Sequence, residues 1–406
     1  MPVGEVISVD VVIFGGGGAG LWLLDTLHRA GHRALLLEAG ELGAGQTVAS
    51  QGIVHGGVKY ALDGLLSPSA RAVREMPLLW RRCLAGEDEP DLSATRRRAE
   101  FCHLWQTGTL SSRVAMFGAR AGLRVRPVPL EPQERPGLLR DCPGVVARLD
   151  EQVIDPESFV RSLADRNEGR VFRIDAGHGV EFDREAPGEV DHVHLINPET
   201  GEPLNLKPHR TVFTAGAGSA RLREAVGLPA RRIQRRPLHM VLARGDLPPL
   251  NGHCVDGMHT RVTITTTEDT MGRAIWQIGG QVAEDGVNME RADLIRHARA
   301  ELNAVLPGLD MTSAEWATYR VDRAELATRS GRRPTDARVV EEGRVISAAP
   351  TKMVLIPQLV RRVMDLLPAP AAPAPAAPLR ARLDAWPRPD VAIPPWEEDL
   401  AWSIGV

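Results

Sequence analysis

Val9 to Phe14 (VDVVIF) is an almost unbroken apolar run, the pattern of a strand covered on both faces in a parallel sheet. Leu21 to Ala30 repeats at helical spacing, and Ala34 to Leu37 reads as a second strand. Helices are also expected over 69–84 and 109–121, while 123–149, with several prolines, reads as irregular. Asp155-Pro156-Glu157 starts a helix running to about Arg166, with Asp155 as N-cap and Pro156 in the first turn. Short strands follow near 170–174, 178–183 and 190–196, then a buried one over Arg210 to Thr214. Residues 237–243, 261–266 and 273–279 alternate as in a mostly antiparallel sheet. An amphipathic helix over 289–305, a strand over 315–321, a hairpin over 337–348 and a last helix over about 352–367 complete the body. PAPAAPAPAAP (368–378) reads as an extended linker. The tail, 379–406, carries Trp386, Trp396 and Trp402 and is expected to pack back as a strap, with partner docking as the other reading.

The first turn carries chemistry. The strand runs into GGGGAG, with Gly15, Gly17 and Gly20 in G-x-G-x-x-G spacing, and Gly18 and Ala19 open the helix. Gly15 suits a tight turn, Gly17 close approach of a pyrophosphate, and Gly20 close packing of helix on strand. The helix N-terminus offers unpaired N–H groups and partial positive charge to phosphates. Glu38, followed by Ala39, ends the second strand where a carboxylate can accept ribose hydroxyls. Strand, turn, helix and acid together predict a dinucleotide site.

At 406 residues the chain exceeds one ordinary core. Segments of nucleotide-binding type occupy 1–65, 150–225 and 335–367, and sheet-rich segments occupy 66–149 and 226–334. The expected fold class is therefore α/β (α+β overall): a Rossmann-like domain, discontinuous in sequence, with an inserted antiparallel-sheet substrate domain. A formal net charge of -3 gives no reason to expect a nucleic-acid partner. The four cysteines form no C-x-x-C, so no metal or iron–sulfur centre is expected, and a reducing, cytoplasmic setting fits. No apolar run reaches membrane-spanning length; peripheral membrane contact stays open. Only Lys59, Lys207 and Lys352 are lysines and only Tyr60 and Tyr319 are tyrosines, a scarcity that draws attention to each.

This order of segments resembles the FAD-dependent oxidoreductases of the D-amino-acid-oxidase superfamily, over about residues 8–367. Within it the motifs look most like FAD-dependent glycerol-3-phosphate dehydrogenase. ASQGIVHGGVKYAL (49–62) is similar to the S-x-x-I-H-G-G-L-R-Y-L run of those enzymes, and the resemblance implies that Thr47, Ser50, His55, Gly56 and Gly57 neighbour a non-covalent flavin. VIDPESFVRSLADRNEG is similar to the family's D-P-x-x-[FL] helix, with Val180 beyond it as the implied adenine contact. TVFTAGAGS (211–219) matches a strand-then-A-G-A signature, placing Ala215, Gly216 and Gly218 by the ADP moiety. ISAAPTKMVLIPQLVRRV (346–363) resembles the G-G-K-x-T segment, so Thr351, Lys352 and Met353 would face the flavin C2 carbonyl.

The resemblance further implies that His239, in RRPLHMVL, lies beside the substrate and takes a hydroxyl proton, with His55 second. Arg320, helped by Lys59, would hold an anionic group, and Lys59 and Tyr60 match the R-Y pair of the H-G-G-L-R-Y run with lysine in place of arginine. The implied reaction is hydride transfer from a small anionic hydroxy compound, a polyol phosphate or 2-hydroxy acid, to flavin N5. Two motifs depart from the glycerol phosphate pattern, with GGQV at 279–282 and P-T-K for G-G-K. Amine or amino-acid oxidation, a non-catalytic flavin scaffold or redox sensor, and an NAD-dependent dehydrogenase are the alternatives. With one dinucleotide fingerprint and none for NAD(P), reoxidation by oxygen, a quinone or a protein carrier is expected.

Overall fold

The structure, a computed structural model, describes residues 6–56, 75–108, 127–256, 259–371 and 383–404. Gly57, Lys59 and Tyr60, the expected helix over 109–121 and most of the Pro/Ala stretch lie outside these residues. No described helix is long and apolar enough to cross a membrane.

Two sheets organise the chain. The first is centred on β1 (Val6–Phe14), which pairs in parallel with β2 (Ala34–Glu38) on one side and with Pro203–Phe213 on the other. Val171–Arg173 extends it beyond β2, and the hairpin Arg338–Glu342 and Val345–Ala349 extends it beyond Pro203–Phe213. Val190–Ile196 and Val180–Arg184 add antiparallel strands to the long Pro203–Phe213 strand. Buried on both faces, β1 needs the apolar run that marks it in the sequence: Val9, Val11, Val12, Ile13 and Phe14 are all buried. Helix α1 (Gly18–Arg29) packs on this sheet beside Pro156–Arg166 and Ile356–Met364.

The second sheet takes its strands in the order Ser403–Ile404, Glu315–Leu326, Ile233–Gly245, Ala274–Gly279, His259–Glu268, Gly252–Asp256, Cys102–Trp105, Val146–Leu149 and Val128–Pro129. Its two long strands pair from Ile233↔Leu326 to Arg244↔Glu315, so the strand expected over 315–321 runs to Leu326. Its last residues are charged, which hides it in the sequence. Tertiary pairing makes room for them: Glu325 is fully buried and accepts from Arg236 Nε and Nη2 at 2.8 and 3.1 Å. The stretch expected to be irregular supplies two short strands: Val146–Leu149 pairs with Cys102–Trp105 and Val128–Pro129 pairs in turn with Val146–Leu149, contacts set by tertiary context that leave little local signal.

One face of this sheet buries Val241, Trp276 and Trp316 against Leu294, Ile295 and Leu302 of the helix Arg291–Val305. The other face sets Met240, Leu242, Ala317 and Tyr319 against Ala49 and Trp396. This two-face division decides which residues of the long strands can meet a ligand.

The tail is a strap, as its tryptophans suggested. Trp386 is buried against the first sheet and donates from Nε1 to Arg173 O at 2.7 Å. Leu42 N–H donates to Asp390 O at 2.7 Å, and Ala392 N–H to Leu42 O at 3.0 Å. Further on, Glu397 accepts from Thr270 of the second sheet, Arg244 stacks over Trp402 at 4.0 Å, and Ser403–Ile404 adds an edge strand. One peptide thus ties both sheets together.

Candidate active site

Between the two sheets lies a cavity of about 1090 Å³. Its floor is the turn after β1. Gly15 has φ +110°, and a Cβ there would sit 2.4 Å from Ala215 Cα. A Cβ on Gly20 would sit 2.0 Å from Gly15 O, so the helix packs directly on the turn. Glu38 braces the same turn, accepting from Gly16 N–H at 2.6 Å and from Gly40 N–H at 2.9 Å. Thr47 Oγ1 accepts from Gly18 N–H at 3.3 Å.

Most of the expected cofactor residues line this cavity. Gly15, Gly17, Gly18, Ala19, Glu38 and Ala39 come from the first βαβ unit, and Thr47, Ser50 and His55 from the segment after it. Val180 sits at one end, while Ala215, Gly216 and Gly218 pass beside Gly15. Gly20 lies behind the lining, in the packing role described above. Thr351, Lys352 and Met353 also line it, from the segment that opens the last helix. Lys352 is only 5 % exposed. Thr351 before it has φ +60°, a strained conformation for a β-branched residue of the kind that collects at ligand sites.

The 47–53 segment is clamped onto the second sheet. Tyr319 donates its phenol hydrogen to Ala49 O at 2.8 Å and accepts from Gln277 Nε2 at 2.5 Å. Gln51 Nε2 donates to the carbonyls of Thr263 and Gln277 at 3.0 and 2.8 Å. Burial pushes the Tyr319 phenol up, so it remains a hydrogen donor. The strap adds Pro395 and Glu398 to the lining, a contribution with no signal in the linear pattern.

The substrate-side expectations need correction. Leu238 and Met240 line the cavity; His239 between them does not. It shares the face of Val241 and is buried, with Nδ1 3.1 Å from Gly286 O and its pKa pushed down by burial. Arg320 stands opposite it in register. Its guanidinium donates to Val287 O at 2.7 Å and Met289 O at 3.2 Å, so although Arg320 borders the cavity, its charged end is held elsewhere. Side chains alternate along a strand, so residues adjacent in sequence present opposite faces of the sheet. Arg323, at the cavity-facing parity of Tyr319 and Val321, is the guanidinium that motif reading passed over. It donates from Nη1 to Glu284 at 3.0 Å and from Nε to Arg236 O at 3.2 Å. Gly56, at the end of the segment that carries His55, donates its N–H to Glu151 Oε1 at 2.6 Å.

A glycine turn without room for side chains, a helix starting above it, a carboxylate at the second strand's end and a deep cavity shared by two sheets define a dinucleotide-dependent redox protein of the flavin type. The comparisons agree. The family model described as "FAD dependent oxidoreductase" matches residues 10–349, and the chain belongs to that family, with FAD as cofactor. A curated relative, the probable FAD-dependent oxidoreductase PA4991 of Pseudomonas aeruginosa, is 39% identical over 402 residues, covering 98% of this chain and all of its own. The crystal structure of PA4991 superposes with a TM-score of 0.78 at 35% identity, over 98% of this chain and 99% of its own. Glycine oxidase from Geobacillus kaustophilus follows the same fold at TM-score 0.62 and 18% identity, over 92% of this chain and 98% of its own. L-alpha-glycerophosphate oxidase from Mycoplasma pneumoniae, with FAD bound, does so at 0.63 and 14%, over 90% and 97%. The glycerol phosphate branch is thus a distant neighbour, not the near relative its motifs implied.

Proposed function

We propose that the chain oxidises a small anionic hydroxy compound, a polyol phosphate or a 2-hydroxy acid, in the cavity between its sheets. FAD, when bound, supplies a two-electron acceptor for the substrate's hydride. In this reading the first sheet and its helices (1–65, 150–225, 335–367) form the FAD-binding domain, and the second sheet (66–149, 226–334) covers the substrate. The glycine turn, Glu38 and Thr47 hold the adenosine diphosphate end. Thr351 and Lys352 hold the flavin ring, where positive charge favours the reduced anion.

The observation that carries the substrate class is Arg323, a guanidinium on the cavity wall whose Glu284 and backbone contacts leave donors for a carboxylate or phosphate. His55 replaces His239 as the histidine that meets the reacting hydroxyl. His55 lines the cavity, with its Nδ1 3.6 Å from Glu151 Oε2. Oxidation of an amine is the second reading, favoured by one observation. The leading proton acceptor, His239, faces away, and a neutral amine requires none.

The test is anaerobic bleaching of the purified yellow protein by a panel of 2-hydroxy acids, polyol phosphates and amino acids. The expected result is bleaching by an anionic hydroxy compound. Arg323→Gln should raise its half-saturating concentration about tenfold or more, as loss of a charge-assisted hydrogen bond requires, whereas His239→Asn should leave it unchanged. Bleaching by amino acids alone overturns the hydroxy reading, and an unchanged Arg323→Gln overturns the anchor.

A further inference from the structure

Behind the His55 wall lies a group that the proposed chemistry does not use. Glu151 follows the strand Val146–Leu149 and is 1 % exposed. Its Oε1 accepts from Gly56 N–H at 2.6 Å. Its Oε2 stands 3.6 Å from His55 Nδ1 and 3.5 Å from His253 Nε2. The ligating atoms of the three residues all lie within 4.8 Å of one another. His55 arrives from the segment after the FAD turn, and His253 from Gly252–Asp256 in the second sheet, where it is fully buried. The other nitrogen of His253, Nδ1, is 2.9 Å from Thr263 Oγ1.

A carboxylate removed from water requires a cation close by. The separations of 3.5 and 3.6 Å are long for hydrogen bonds. They suit two ligands on one tetrahedral ion, which stand about 3.3–3.4 Å apart when each bond is about 2.0–2.1 Å. The outer contacts also have the form of a metal centre's supports. Thr263 fixes the far nitrogen of one imidazole, and a backbone N–H fixes the second carboxylate oxygen. His55 lines the cavity, so an ion has a way in.

We propose that His55 Nδ1, Glu151 Oε2 and His253 Nε2 form a three-ligand site for a divalent transition-metal ion, with the fourth position toward the cavity. Two imidazoles and one carboxylate favour zinc or its neighbours over calcium or magnesium, which prefer all-oxygen sets. The ion ties the 51–56 segment to the second sheet. The site departs from the sequence expectation of no metal, because its ligands come from segments far apart in the chain. It does not depend on the substrate proposed above.

The experiment loads FAD-containing protein with micromolar zinc, removes free ion by gel filtration, and measures zinc by mass spectrometry and FAD by absorbance on the same sample. Wild type should retain about one zinc per chain and melt at a higher temperature than zinc-free protein. Glu151→Gln and His253→Asn should each retain about tenfold less zinc with FAD content unchanged. Wild type that holds FAD but no zinc overturns the site and leaves a buried imidazole–carboxylate group that shares protons only. Variants that retain as much zinc as wild type overturn it as well. The wild-type measurement decides even if a variant fails to fold, and the FAD reading separates failure of this site from failure of the flavin assignment.

Discussion

Gly20→Ala sets two effects against each other. Gly20 lies in the first turn of α1, where alanine favours the helix by up to about 1 kcal/mol. The added Cβ would stand 2.0 Å from Gly15 O and 2.7 Å from Thr214 Oγ1. Thr214 Oγ1 itself donates to Gly15 O at 2.9 Å, so the obstacle is a pinned carbonyl, not the free end of a side chain. Carbon and oxygen do not approach that closely, so helix and turn must separate by about an ångström. Overpacking of this sort costs about 1–3 kcal/mol, and the strain falls on the turn that receives the pyrophosphate. Taking the middle of that range, about 2 kcal/mol, and subtracting a propensity gain of up to about 1 kcal/mol, a net loss of about 1–2 kcal/mol remains, equivalent to FAD binding weakened about 5- to 30-fold. Titration of apoprotein with FAD, followed by quenching of flavin fluorescence, reads this directly. Gly137→Ala, where an added Cβ meets nothing within 4 Å, is the control. An unchanged FAD dissociation constant together with a raised melting temperature would refute the reasoning, because helix propensity would then have outweighed the close approach.

Other outcomes follow from single contacts. Asp155 caps Pro156–Arg166 and pairs with Arg96 and with Arg98, whose side chain is 4% exposed. Burial would raise its pKa, but Arg98, the Ser158 N–H and Arg96 together hold it at about 2, down from 3.8. A depressed carboxylate stabilises the fold fully above its unfolded pKa and loses that effect as pH falls through the folded one. The stability gap between wild type and Asp155→Asn in urea should therefore be constant from about pH 5 to 8 and about 1 kcal/mol smaller at pH 3; a gap that widens on acidification contradicts this. Thr351→Gly relieves the positive φ and should gain about 1 kcal/mol, read as a higher melting temperature, with a fall counting against strain at that residue. Trp386→Ala removes the strap's buried anchor, 5 % exposed, and should cost about 3–5 kcal/mol. Limited proteolysis should then release the C-terminal segment, and unchanged resistance would mean that the strap is held elsewhere.

The readings that held are those whose evidence is contiguous. Strand, glycine turn, helix and Glu38 occupy residues 6–38 and form one unit, so the pattern of side chains along the chain is the pattern in space. The hairpin Arg338–Glu342 and Val345–Ala349 and the helix Arg291–Val305 were legible for the same reason. So was Asp155 as a cap, since its bond to Ser158 N–H is made within one turn. The substrate wall was not. His239 and Arg320 were chosen from motif position, but a strand offers two faces, and which one meets the cavity depends on how the long strands pair and on which side receives the helix Arg291–Val305.

The chain's local pattern determined the family's nucleotide turn and, through it, the cofactor, because a backbone that must touch phosphate leaves little choice of residue at Gly15 and Gly20. Only the folded molecule decided that the Arg320 guanidinium is held by the carbonyls of Val287 and Met289, that Arg323 joins the cavity lining, and that the tail does so too. It alone brought Glu151 between His55 and His253. These groups are set by register and by contacts across long sequence separations, and a linear pattern carries neither.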